Sequence, residues 1–315
     1  MQPHILGTKL QQLQVDPHTI LWILDFLLKR EQFVKVNNTA SNIMLTSTGA
    51  PQGTVISPAL FSIYTNELRG SNSASMAVKF ADDTALVDTS NSPTHFEREV
   101  KFLQKWCEEH FLQINVKKTK ELLIDFRRKA DPVPQLTLNN EVVERVDNYK
   151  YLGTIIDNGL NFNKNTDSIY KKCHQRTYLL RRLRNLDVTS RILRNFYSCH
   201  IESLLTFTFL AWYGGLSVTN KDKLRRMVSL GTKLCGTQCS DLQEIYDERV
   251  VRKAGKIARD STHNLNTCFR VLPLGRRYAA PTHPVFISDR GGNSFIPSAI
   301  RLLNKHDPPR NAPTR

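Results

Sequence analysis

The sequence predicts an α+β fold followed by a basic, all-helical region, and three observations carry that expectation. Residues 43–155 alternate short strand-like runs with amphipathic stretches, whereas from Asn163 onward the apolar spacing is that of long helices. Charge divides in the same way. Residues 1–150 hold 17 Lys+Arg against 17 Asp+Glu and residues 151–315 hold 27 against 12, so the net charge of +15 lies wholly in the second half. Finally, Gly, Pro and Asn pairs punctuate the first half between its short apolar runs, as turn chemistry requires. A neutral part joined to a basic part suits a chain in which one does chemistry and the other holds a polyanion. At 315 residues and 40% hydrophobic content there is material for two or three compact units.

Taken in order, residues 3–14 and 17–29 read as helices. Ile20, Ile23, Leu24 and Leu27 form the apolar stripe of the second, and Pro17 suits its first turn. After FVKVN, the stretch TSTGAPQGTVISPALFSIYTNEL carries a loop punctuated by Gly49, Pro51 and Gly53, then a helix from Pro58 to Leu68. Two short strands follow, MAVKF and TALVD. Ser92-Pro93 opens a helix whose apolar positions Phe96, Val100, Leu103, Cys107 and His110 or Phe111 step by four and three. FLQIN and the basic KKTK lead to a strand, ELLIDF. Pro132 and Pro134 break the chain, and LTLNNEVVERV reads as a hairpin across Asn139-Asn140. Beyond Asn163 three basic helices are expected at 168–186, 189–212 and 220–236. The tail after Leu274 is rich in Arg, Pro and Gly, a composition with less order in it.

No apolar run reaches the ~18 residues of a membrane span, since LLTFTFLAWYGG stops short, and MQPHILGTKL carries no signal pattern. A nuclear or cytoplasmic location is therefore expected. Six irregularly spaced cysteines argue against a disulfide framework and for a reducing compartment.

The chemistry centres on FADDTALVD, residues 80–88. Adjacent aspartates repel and form strands poorly, so Asp82 and Asp83 between two strand-like runs read either as an exposed turn or as a hard-cation site at a hairpin tip. Oxygen ligation of this kind suits Mg²⁺. Upstream, GAPQGTVISP lets its backbone approach a flat or phosphorylated ligand, while Gln52 offers a directed amide. Downstream, LQINVKKTK presents lysines before a strand, and YKYLG closes the series at 149–153.

In that order APQG with SP after it, FADD, LQIN..KTK and YLG resemble the successive palm motifs of reverse transcriptases. Within the family they are most similar to the polymerase of non-LTR (LINE-type) retrotransposons. GRRY and NSFIPSAIRLLN are similar to the C-terminal end of such an element's second open reading frame. The resemblance implies a partial palm at residues 1–155, an antiparallel sheet with helices on one face. A helical, thumb-like region would follow at 156–232 and a basic C-terminal region at 233–315.

Carried over by position, Asp82 and Asp83 are implied as catalytic metal ligands, with Mg²⁺ the implied cofactor. Gln52, Gly53, Lys118 and Lys120 would meet the incoming dNTP, and Tyr151, Leu152 and Gly153 would grip the primer. Lys171, Lys172, Arg181, Arg182 and Arg184 would contact the phosphates of the RNA template and DNA primer or target. Oligomeric state is left open by the sequence.

The family also uses a third carboxylate, on a strand preceding the helix matched here by residues 3–14. Met1 stands at that junction, so the expectation is an N-terminally truncated copy, without fingers or endonuclease regions, that does not polymerise alone. A non-catalytic nucleic-acid-binding remnant is the alternative. Two further patterns stand apart: Cys235, Cys239, His263 and Cys268 as a possible zinc set, and residues ~150–200, which resemble a segment attached to an AlkB-homologue DNA-repair family. A dioxygenase of that kind needs a His-x-Asp/Glu and a distal His, and the near match His95-Phe96-Glu97 lies in the helix after FADD.

Overall fold

The computed structural model describes residues 1–72, 74–90, 92–126, 132–281 and 291–306. They group into two compact units, Met1–Glu121 with Arg128–Val146, and Leu122–Arg127 with Asp147–Arg315.

In the first unit, α1 (Pro3–Gln12) and α2 (Pro17–Leu27) each begin on a proline, whose missing N–H would be unpaired there in any case. Asp16 caps α2, its carboxylate accepting from the Thr19 amide at 3.0 Å. Leu6, Leu10, Ile20, Ile23 and Leu27 pack with Leu60 and Tyr64 of α3 (Ile56–Tyr64) into one core. Between α2 and α3 lie two small pairings: β1 (Arg30–Gln32) with β4 (Met44–Thr46), and β2 (Lys35–Val36) with β3 (Thr39–Ala40). The hairpin of β5 (Ser75–Phe80) and β6 (Asp83–Asp88) follows, then α4 (Pro93–Glu109), capped by Ser92 as expected. β7 (Lys120–Glu121) runs parallel to β10 (Glu144–Arg145), pinned by a two-pronged Arg145–Glu121 ion pair. Between them β8 (Thr137–Leu138) and β9 (Glu141–Val142) turn through Asn139 (φ +50°) and Asn140 (φ +64°), the left-handed pair a tight hairpin favours. Val100, Leu138 and Val143, with Leu86 against them, fill a second small core.

The first unit is thus mixed α and β, but its strands pair two by two. Among the described residues no sheet of three or more strands forms, so the single antiparallel sheet expected of a palm is not assembled. Of the expected strand ELLIDF only Glu121 pairs, together with Lys120 before it; Leu123, Ile124 and Phe126 beyond it are exposed, and Leu122–Arg127 group with the second unit.

The second unit opens with the hairpin β11 (Asn148–Tyr151) and β12 (Thr154–Asp157), then α5 (Asn163–Arg184). Asp157 ties the link between them, accepting from the amides of Gly159, Asn161 and Phe162 at 3.1, 2.9 and 2.7 Å. The helix expected at 189–212 is broken. α6 (Ser190–Tyr197) passes through a π-helical turn (Ser198–Glu202) into α7 (Ser203–Leu205), and Thr208, at φ +47°, starts the short α8 (Phe209–Trp212). α9 (Val218–Cys235) ends on Gly236 at φ +68°. α10 (Leu242–Arg259) is capped by Asp241, and α11 (Phe295–His306) ends the described chain. The core runs through Cys173, Leu180, Tyr197, Leu205, Trp212, Leu224 and Val250. A Cβ on Gly231 would stand 2.2 Å from the Tyr197 ring, so only glycine lets α9 approach that closely.

Candidate functional site

The β5–β6 hairpin presents its acidic pair where the chain reverses. Register runs from Ser75 opposite Asp88 to Phe80 opposite Asp83, leaving Ala81 and Asp82 as a two-residue turn. Ala81 is left-handed at φ +52°, a conformation that costs a residue with a Cβ about 1–2 kcal/mol and that concentrates at functional positions. Asp82 and Asp83 are both exposed. Because opposed residues share a face, Asp83 lies with Phe80, Val78, Met76 and Val87, and these four apolar side chains are 38–63% exposed. As a donor set, two neighbouring carboxylates at an open tip fit a Mg²⁺ ion that keeps several waters. Among the described residues no three His, Cys, Asp or Glu side chains are gathered for a metal.

The base of this hairpin is fastened by a polar network that the sequence reading did not anticipate. Asp88 accepts from Ser75 Oγ at 2.6 Å, from the Ser90 amide at 2.9 Å and from His95 Nδ1 at 2.7 Å. Desolvation works against ionisation, but these hydrogen bonds outweigh it and hold the Asp88 carboxyl at about 2. His95 Nε2 meets the Asn72 amide at 2.7 Å, and Asn72 in turn donates to Glu99 at 2.7 Å. Glu99, 2% exposed, also accepts from Ser71. The available signal was the position of His95 and Glu99 one turn apart on the face of α4 that follows the hairpin.

The other expected residues are placed separately. Gln52 and Gly53 are exposed in the loop before α3, and Gly53, at φ +77°, has open space where a Cβ would stand. That loop is held by the Pro51 carbonyl, which accepts from Ser57 Oγ at 2.8 Å. Lys118 is exposed and has no ion pair among the described residues, whereas Lys120 is engaged by Glu144. No hydrogen bond or ion pair among the described residues joins Gln52, Lys118 or Lys120 to Asp82 or Asp83.

Tyr151, Leu152 and Gly153 lie in the second unit. Leu152 (φ +45°) and Gly153 (φ +89°) form the tight turn of β11–β12, and a Cβ on Gly153 would stand 3.0 Å from the Phe207 ring. The Thr154 and Thr208 hydroxyls meet at 2.6 Å, and the Ile155 amide donates to Asn165 at 3.1 Å, so this hairpin is fastened to the helical segment. Lys171, Lys172, Arg181, Arg182 and Arg184 are all exposed along α5, whose buried face carries Cys173, Thr177 and Leu180. Lys171, Gln175, Tyr178 and Arg182 follow one helical stripe, with Tyr178 58% exposed. Arg184 differs from the others in that its guanidinium donates to the Lys233 carbonyl at 2.6 Å, closing the end of α9.

Two patterns do not assemble. Cys235 and Cys239 are buried in the helical core, where burial and then the neighbouring Cys239 push the Cys235 thiol up to about 11, while Cys268 is exposed. No zinc set forms among the described residues. His95 is taken by Asp88 and Glu97 by Lys101, at 2.9 Å, so His95-Phe96-Glu97 is no iron-ligand pair.

Comparison with known proteins bears on residues 1–156, which match the family model described as "Reverse transcriptase (RNA-dependent DNA polymerase)". Residues 162–203 match one described as "Alkylated DNA repair protein alkB homolog 8, N-terminal". Among curated relatives, the chain is 29% identical over 171 residues to a "Probable RNA-directed DNA polymerase from transposon BS" of Drosophila melanogaster, covering 51% of this chain and 19% of that protein. It is 25% identical over 224 residues to the "RNA-directed DNA polymerase from mobile element jockey" of the same organism, covering 66% of this chain and 24% of that protein. The chain therefore aligns with about a fifth to a quarter of the length of these relatives. No solved structure matches it. By these motifs and matches, residues 1–156 belong with the reverse transcriptases, and the relatives found are polymerases of the non-LTR, LINE-type branch.

Proposed function

We propose that the first unit carries the metal-binding hairpin of an RNA-directed DNA polymerase, with Asp82 and Asp83 as the metal ligands, and that the second unit holds the nucleic acid. The observation that carries this reading is the β5–β6 tip: two exposed carboxylates beside a left-handed alanine, on a hairpin braced from behind by Asp88 and His95. Divalent metal, here Mg²⁺, would assist attack by a primer 3′-hydroxyl and steady the departing pyrophosphate. Asp82 and Asp83 bind and orient it. Gln52 and the open backbone at Gly53 position the templating base and the dNTP, and Lys118, free of ion pairs among the described residues, steadies the triphosphate. The Tyr151–Gly153 turn acts as primer grip, and α5 as a thumb contacting phosphates through Lys171, Lys172, Arg181 and Arg182. Arg184 has its primary role inside the helical unit.

Taken alone, the chain is proposed not to extend a primer. Two carboxylates stand at the tip where the family's centre uses three, no further ligand is gathered with them among the described residues, and the apolar face around Asp83 is open. Purified chain on an RNA template with annealed primer, Mg²⁺ and dNTPs should incorporate nothing. Incorporation that Asp82→Asn abolishes would contradict that statement and uphold the site. Retained nucleic-acid binding without incorporation fits equally a non-catalytic binding remnant, which the exposed cations of α5 favour. The likeness of residues 162–203 to the AlkB-homologue model is read as shared helical sequence without dioxygenase chemistry.

A further inference from the structure

A groove of ≈ 450 Å³ in the second unit shares no residue with the β5–β6 tip, the Tyr151–Gly153 turn or α5. One wall is α10, which contributes Arg249, Arg252, Lys253 and Lys256; the rest comes from the segment 206–211 that follows the π-helical turn. The four cations fall at i, i+3, i+4 and i+7, so they occupy one helix face, where like charges repel. No carboxylate lines the groove. Glu248 approaches Arg252 only at 4.0 Å, with both side chains mostly exposed.

Two details show that the groove is built. Arg249 is fixed by donating to the Thr206 carbonyl at 2.8 Å. Thr208, on the opposite wall, is the residue whose hydroxyl meets Thr154 just beyond the Leu152–Gly153 turn. The floor includes the buried Phe209 ring. An apolar floor under four cations, of which only Arg252 has a carboxylate partner among the described residues, calls for a polyanion with apolar surface between its charges. Arg249 to Lys256 spans roughly 10 Å along the helix, the axial length of about three phosphates of one duplex strand.

We propose that this α10 groove is a second nucleic-acid contact, taking the phosphate backbone of a strand beside the β11–β12 turn. It is separate from α5 and independent of whether the chain polymerises. The groove contributes phosphate neutralisation and no base readout, so affinity is salt-dependent and sequence-tolerant.

The test is binding of the full chain to a 20-base-pair DNA duplex by fluorescence anisotropy at several salt concentrations. The triple variant Arg252→Ala/Lys253→Ala/Lys256→Ala, which spares the structural Arg249, should lower the log–log salt slope by about 3 and weaken binding at low salt. Arg252→Lys, which keeps the charge, should leave the slope unchanged. Wild-type protein gives an arm that needs no variant: duplex should protect Lys253 and Lys256 from acetylation, read by mass spectrometry. A slope and affinity equal to wild type in a triple variant with unchanged circular dichroism would overturn the proposal. So would Lys253 and Lys256 protected by a mononucleotide but not by duplex. Asp82 and Asp83 are untouched throughout, so neither result depends on the polymerase reading.

Discussion

Gly153 sits under two constraints that can be separated by mutation. Its φ of +89° disfavours any residue with a Cβ, and the Cβ itself would stand 3.0 Å from Phe207 Cε1. The first constraint is worth about 1 kcal/mol. The second forces the ring aside by a few tenths of an ångström; Phe207 is 49% exposed and can yield, so about 1 kcal/mol is reasonable there too. Gly153→Ala should therefore destabilise the second unit by about 2 kcal/mol, a melting shift of about 4–8 °C for a unit of this size. Gly53→Ala meets the same backbone constraint at φ +77° with nothing within 4 Å, and should cost its own unit about 1 kcal/mol. Trp212 offers the readout, since its indole N–H donates to the Phe207 carbonyl at 2.9 Å and the ring is 1% exposed. Urea titration through Trp212 fluorescence, with Trp22 and Trp106 replaced by Phe in every sample, isolates the second unit. In a Phe207→Leu background the loss from Gly153→Ala should fall to about half. An equal loss in both backgrounds would refute the contact, and a loss below about 0.5 kcal/mol would refute the turn assignment.

Further expectations concern separate parts of the chain. Asp88 is held at about 2, below its ordinary 3.8, so its hydrogen bonds contribute stability that is complete above about pH 4 and lost as pH falls towards 2. After allowance for solvent screening this is about 1 kcal/mol, and acid denaturation of Asp88→Asn should show that much less dependence on pH across the window. Native protein should expose the thiols of Cys199 and Cys268 to a thiol reagent and release those of Cys107, Cys173, Cys235 and Cys239 only on unfolding. Chelator should leave the melting temperature unchanged, against any structural zinc. Lys171→Ala/Lys172→Ala/Arg181→Ala/Arg182→Ala should reduce the salt slope of nucleic-acid binding by about 4 while leaving stability nearly untouched, as their side chains are exposed.

Local chemistry was the most legible part of the sequence. Asn139-Asn140 turned as its side chains dictate, Ser92-Pro93 opened α4, and the strands around FADD lie within a residue of their expected bounds. What periodicity does not carry is a change inside a continuous amphipathic run. Residues 189–212 keep helical spacing, yet the hydrogen-bond ladder widens at Ser198–Glu202 and Thr208 turns left-handed. α10 went unread although its spacing is regular, because its acidic first half and basic second half look like an ordinary solvated surface. The joining of strands into sheets was equally hidden, since pairing depends on residues far apart in the chain. At the candidate site, the placement of Asp82 and Asp83 where two strands turn was readable from the sequence, while the bracing by His95, Asn72 and Glu99 needed α4 in place behind the hairpin.

The claim on which most else depends is that Asp82 and Asp83 hold a divalent cation. Mn²⁺ substitutes for Mg²⁺ and broadens the resonances of nuclei close to it, so Mn²⁺ titration of the isotopically labelled chain, read residue by residue, tests it without requiring turnover. Broadening is expected to centre on Phe80–Thr84 and to be abolished in Asp82→Asn/Asp83→Asn with the rest of the spectrum unchanged. Broadening centred elsewhere, or identical in the double variant, would contradict it.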